Sequence, residues 1–229
     1  MPVIGEIHLK LTQDEVLRRV GFKGHAGIRP EMQNQISELL ETASSSNLLQ
    51  PAATYEMYDI VNMKPDKVVL NNEAFITGTL LPTTFPEAGK LAVMVCTIGP
   101  KLENRATEYG KNGETLRAML LDGIGSAAVD ILAQESCHLI AGKAAELGLQ
   151  AGSPINPGMP GLQITEQQNI LDLAHAEKIS VNLTSSGIMV PRKSTSVVIA
   201  IGRNMHTWTQ EEVCAYCNLR ETCLYTVLK

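Results

Sequence analysis

The chain has 229 residues, a formal net charge of −5, 44% hydrophobic residues and only 4% aromatic ones. That length buries a proper core without staples, and an acidic balance with no basic run argues against nucleic acid and anionic membranes as partners. The opening MPVIGEIHLKL lacks a signal-peptide pattern, and the longest largely apolar run, 91–98, is far short of the ~20 residues that span a bilayer. The expected setting is therefore the cytoplasm.

Thr12-Gln13-Asp14-Glu15 has the capping-box pattern, with Leu11 and Val16 spaced as its hydrophobic staple. It predicts a short helix, 13–20, stopped at Gly21. Gly24, Gly27 and Pro30 mark a loop, and 31–45 predicts a second helix with Met32, Ile36, Leu39 and Leu40 on one face. Residues 51–58 (PAATYEMY) are expected as an extended edge strand. The segments 67–70 and 75–78 predict short strands around a turn at Asn71-Asn72. Leu91 to Ile98, almost continuously apolar and partly β-branched, predicts a central strand, followed after Pro100 by a helix over 101–109.

The longest element is predicted from Glu114 to about Gly148. Leu116, Leu120, Ile124, Ala128 and Leu132 recur every four residues, the stripe an amphipathic helix buries. A second row at the same spacing is polar: Asp122, Ser126, Asp130, Gln134 and His138. Glycine costs roughly 1 kcal/mol against alanine inside a helix, so Gly123 and Gly125 predict a close backbone approach. The following AGSPINPGMPG cannot continue a helix and predicts a rigid, exposed loop suited to backbone recognition of a ligand.

Thr165-Glu166-Gln167-Gln168 repeats the capping-box pattern and predicts a helix to about Lys178. Val181–Val190 and Ser194–Ile201 are expected as two strands joined at 191–193 and paired antiparallel. Thr209-Gln210-Glu211-Glu212 is a third capping box, with Trp208 and Val213 as staple. The order of helices and strands fits an α+β fold with a mixed or antiparallel sheet and a long central helix. Residues 1–205 form the expected α+β domain and 206–229 a cysteine-rich metal-binding segment.

Five cysteines is an odd number, and Cys214, Cys217 and Cys223 fall within ten residues. That pattern fits a metal or redox site in a reduced compartment better than disulfides. Zinc and iron–sulfur clusters usually take four protein ligands. Cys96, Cys137, His206 or an exogenous group are the candidates for the fourth. An iron–sulfur cluster is the preferred expectation and zinc the alternative. Asp122 and Asp130 are displaced around the helix by about 80° and could face one cleft. His138, on the same row, reads as a surface or capping histidine. No P-loop, GxGxxG, HExxH or GxSxG is present, so nucleotide hydrolysis and triad chemistry have no support.

Leu121 to Asp130 (LDGIGSAAVD), Pro157-Gly158, Glu166-Gln167 and Met189-Val190-Pro191 with Ser194-Thr195-Ser196 resemble the reactivation domain of cobalamin-dependent methionine synthase. They are closer still to its stand-alone relatives. Val16 to Gly21 and Cys96 to Gly99 are similar too, and the resemblance covers most of 12–202. It implies a domain that caps a corrinoid and binds S-adenosylmethionine, where cob(II) is reduced by one electron and trapped by methyl transfer. It places Asp130 near the family's acidic helix residue, a partner for the methionine amino group, and matches Gly158 to a loop glycine beside the cofactor. The cofactor-binding set is then Asp122, Asp130, Asn156, Gly158 and Met159. Pro154 and Met159 stand where the family loop has arginine and tyrosine, which removes a bidentate partner for a carboxylate. An iron–sulfur cluster at the cysteines would supply the low-potential electron. The implied partners are a corrinoid-binding methyltransferase protein and an electron donor such as ferredoxin or flavodoxin. The alternative function is a non-catalytic corrinoid-protein binding module with structural zinc.

Overall fold

In a computed structural model, residues 3–4, 7, 9–21, 29–217 and 220–223 are described. They form β1 (Val3–Ile4), α1 (Gln13–Arg19), α2 (Pro30–Ser45), β2 (Ala52–Lys64), β3 (Lys67–Leu70), β4 (Phe75–Thr77), α3 (Leu80–Thr84), β5 (Ala88–Thr97), α4 (Lys101–Lys111) and α5 (Thr115–Glu146). Then follow β6 (Gln150–Ala151), α6 (Gln167–Leu173), β7 (Asn182–Leu183), β8 (Met189–Val190), β9 (Ser194–Gly202) and α7 (Gln210–Tyr216).

β5 is the middle of an antiparallel sheet in the order β4-β3-β2-β5-β9-β6, with β1 paired to the start of β2. Its unbroken apolar sequence follows from burial on both faces. Ala92, Met94 and Cys96 point into one core with Val197, Ile199 and Ile201 of β9, beneath α1, α2, α4 and α5. Leu91, Val93 and Val95 point into a second core with Val198 and Ala200, covered by α3 and α6. The fold is thus α+β, as expected, with two helical layers on a single sheet.

One expectation is extended and two are corrected. The strand expected over 51–58 runs on to Lys64 as the 13-residue β2: residues 52–59 pair with β5, 53–54 also pair with β1, and β3 joins only along 60–64. Val181–Val190 is not one strand paired to β9. Thr184 and Gly187 (φ +79°) turn the chain back, so β7 and β8 form a separate hairpin. β9 is left to pair with β5 and β6. Nor does Thr165 cap a helix. Residues 164–166 form a 3₁₀ turn, α6 starts without a side-chain cap, and it stops at Leu173 before His175 takes a left-handed conformation (φ 55°). The capping boxes at Thr12 and Thr209 do form, each with reciprocal bonds to Glu15 or Glu212.

α5 runs 32 residues across the first core, and its glycines mark where neighbours touch it. A Cβ on Gly123 would lie 2.5 Å from Val20 Cγ1, and one on Gly125 2.6 Å from Leu102 Cδ2. α1 and α4 therefore approach the α5 backbone closely; the glycines predicted a close approach, and the structure supplies the two partners. No helix among the described residues is long and apolar enough to cross a membrane.

Candidate functional site

Beyond α5 the chain returns along the free side of β9. After β6, the amide of Gly152 donates to Ala200 O (2.8 Å), and Ile155 and Val198 exchange two backbone bonds of 2.9 Å. The proline loop is thereby stitched to the sheet edge. The Asn156 side chain adds a further tie, donating from Nδ2 to Ser196 O (3.0 Å). Residues 205–208 follow the same edge: Ser153 N donates to His206 O (3.2 Å), and Trp208 N donates to Ser153 Oγ (2.6 Å).

Between this edge and the second half of α5 lies a cavity of about 420 Å³, within the range of about 300–1,000 Å³ for small-molecule sites. α5 lines it with Asp130, Gln134, Cys137 and His138. β9 adds Thr195, Val197 and Ile199, and the loop adds Ser153, Pro154 and Asn156. The last three residues of the polar row on α5 thus face one hollow, because a four-residue spacing keeps them on nearly one side of the helix.

Asp130 is ion-paired with Arg19, at the end of α1, and both side chains remain more than a third exposed. Burial pushes the Asp130 carboxyl above its ordinary range, and the nearby Arg19 and Lys193 pull it partly back. Burial also pushes the Cys137 thiol up to about 11, so it is a neutral wall group at physiological pH.

The structure brings Asp130 and Asn156 together on the cavity wall and places the other predicted residues behind or beside it. Asp122 lies two turns earlier on α5, paired with Lys193 Nζ at 2.9 Å, which also donates to Ser126 Oγ (2.9 Å). Gly158 (φ +95°) and Met159 form the turn that folds the loop back, with Gly158 N donating to Leu162 O (2.8 Å). Met159 packs on the second core, and its Sδ accepts from Asn156 N (3.4 Å). Sequence reasoning missed Arg19, Thr195 and Thr207. Only the packing of α1 on α5 brings Arg19 here, and the sequence signal for that packing was the pair of apolar Val16 and Val20 with Gly123.

Cys214 is buried on α7, Cys217 caps that helix, and Cys223 is half-buried; none is in a disulfide. Among the described residues no three His, Cys, Asp or Glu side chains converge as a metal site requires. Of the candidate fourth ligands, Cys96 is fully buried in the first core with its thiol pushed up by burial, and Cys137 lies on the cavity wall. His206 Nε2 faces Glu212 Oε1 at 3.4 Å.

A curled antiparallel sheet crossed by one long helix, with a ligand-sized cleft where that helix overhangs the sheet edge, defines the class of domain. Among solved structures, the chain is similar to the MetH reactivation domain bound to AdoHcy, with a TM-score of 0.67 at 14% identity over 94% of this chain and 79% of that one. It has that domain's fold. No family model matches the chain, and no curated protein does.

Proposed function

We propose that this chain acts in the reactivation of a separate corrinoid-binding methyltransferase protein and holds an S-adenosylmethionine-type ligand in the cavity beside α5. The observation that carries the reading is the placement of Asp130 and Asn156 on one ligand-sized hollow, in a fold also found in a domain solved with AdoHcy. Asp130 offers a carboxylate to an ammonium group. Its hold is strengthened because the partly dry cavity weakens competition from water. Val197, Ile199, Ala133 and Ala141 give the apolar wall that a thioether and a sugar-linked base need. Asn156, tied to Ser196, fixes the loop against which the ligand rests. When bound, S-adenosylmethionine supplies an electrophilic methyl group for a one-electron-reduced corrinoid, leaving S-adenosylhomocysteine.

Calorimetry with S-adenosylmethionine and S-adenosylhomocysteine tests this directly. Saturable one-to-one binding that Asp130→Asn weakens is the expected result, and no binding of either ligand overturns the cofactor assignment. In the same reading Cys214, Cys217 and Cys223 are the thiol donors of the electron-entry end, where ferredoxin or flavodoxin would deliver. Iron and sulfide in anaerobically purified protein support that role. Colourless protein with stoichiometric zinc supports instead a non-catalytic module that binds the corrinoid protein.

A further inference from the structure

Among the described residues, one acid–base pair of side chains stands on the cavity wall. Among the described residues that line it, Arg19 is the only lysine or arginine and Asp130 the only carboxylate. The loop 153–160 closing one side carries no charged side chain. Apart from the imidazole of His138, these two are the ionisable oxygen and nitrogen groups that the described lining offers a charged ligand. Their backbones are well fixed. Arg19 ends α1, where Val16 and Leu17 are 0% exposed and Val20 seats against Gly123. Asp130 stands mid-way along α5. The side chains are freer, with exposures of 39% and 37%, so solutes reach the pair. Nor does the pair fully satisfy itself. Burial raises the Asp130 carboxyl by more than Arg19 lowers it, as expected where lost hydration outweighs a single ion contact.

We infer that Arg19 and Asp130 form a charge clamp for an amino-acid-type ligand, the guanidinium taking its α-carboxylate and the carboxylate its α-ammonium. The inference rests on the ligand reading above and extends it to a residue of α1. A lone anion would engage only the guanidinium, and a lone cation only the carboxylate. A zwitterion satisfies both, and its two charges sit on one carbon, as close together as the side chains that must hold them. Entry then exchanges one internal ion pair for two, with no net change of charge in the cavity. The guanidinium's planar fork suits a carboxylate in a way that an ammonium does not. The apolar wall of Val197, Ile199 and Ala133 is left to the ligand's side chain.

The test uses the full chain and three probes: S-adenosylhomocysteine, L-methionine and 5′-methylthioadenosine, which lacks the amino-acid end. Binding is read by calorimetry and ligand-observed NMR for wild type, Arg19→Gln and Arg19→Lys. Arg19→Gln is expected to weaken S-adenosylhomocysteine roughly 10- to 100-fold, the size of a lost charge-assisted contact, and to leave methylthioadenosine unchanged. Arg19→Lys keeps a cation beside Asp130 and loses less, which separates recognition from folding. The clamp is overturned if Arg19→Gln leaves S-adenosylhomocysteine within about twofold of wild type. It is equally overturned if methylthioadenosine weakens in step, or if wild type binds neither S-adenosylhomocysteine nor methionine. Methionine binding that depends on Arg19, without binding of S-adenosylhomocysteine, upholds the clamp and removes the adenosyl cofactor.

Discussion

Asp130 is the one carboxylate among the described residues lining the cavity, and in the proposed reading its raised carboxyl makes ligand binding pH-dependent. A carboxyl held above its ordinary 3.8 loses its charge earlier as pH falls. Ammonium binding in the cavity should therefore weaken on an acid limb lying above the range of an ordinary aspartate, and Asp130→Asn should abolish that limb. Affinity measured across pH by calorimetry checks both. The stability sign is the opposite one. A raised folded value means the group favours folding only at low pH and loses that contribution as pH rises through the folded value. Asp130→Asn should thus leave Tm at neutral pH unchanged or higher, as a thermal melt would show. Glu103 behaves differently. It is 9% exposed and its Oε2 accepts from Arg192 N (2.9 Å), holding the 191–193 loop. Glu103→Ala strands that amide and should cost about 1–3 kcal/mol, read as a lower denaturation midpoint.

At the scale of elements, the glycines of α5 make separable predictions. Gly123→Val drives two branches into Val20 and Val16, and overpacking of that kind costs about 1–3 kcal/mol. Gly142 lies on the same helix with nothing within 4 Å of an added Cβ. There Gly142→Ala should stabilise by up to about 1 kcal/mol, the gain in helix propensity. Chemical denaturation of the two variants distinguishes close contact from helical composition. The position of α1, and with it of Arg19, depends on the first of these sites. Legibility also varied by element. The two capping boxes followed by amphipathic helices were readable because cap and helix lie within a few residues of each other. Thr165 failed as a cap because it lies inside the 3₁₀ turn, 164–166, through which the chain enters α6.

For the whole molecule, the C-terminal segment is attached to the same sheet edge that frames the cavity. His206 and Trp208 bond to Ser153, and the Trp208 ring lies 6.0 Å from that of Phe85. In the proposed reading the cysteines that follow serve a site separate from the α5 cavity. Cys217→Ala should strip whatever metal purified protein carries, while Asp130→Ala leaves metal content unchanged; elemental analysis of both variants decides, and equal loss would merge the two sites. Removal of metal by a chelator should likewise leave ligand binding in the cavity intact.

The sequence by itself determined the long small-residue helix, its polar row, the stiff proline loop and the central strand, because each follows from local periodicity or backbone restriction. Asp130 and Asn156 were named as cofactor-binding candidates on that basis together with the family resemblance. Only the tertiary structure decided that the strand at 51–58 runs on to Lys64 and changes neighbours along its length, that 181–190 folds on itself, and that Arg19 crosses from α1 to meet Asp130. Those outcomes depend on which surfaces pack against which, and packing between distant segments leaves no periodic trace in either one. The glycine at 123 is where the two kinds of information meet: its cost was visible in the sequence, and its purpose is the contact with Val20.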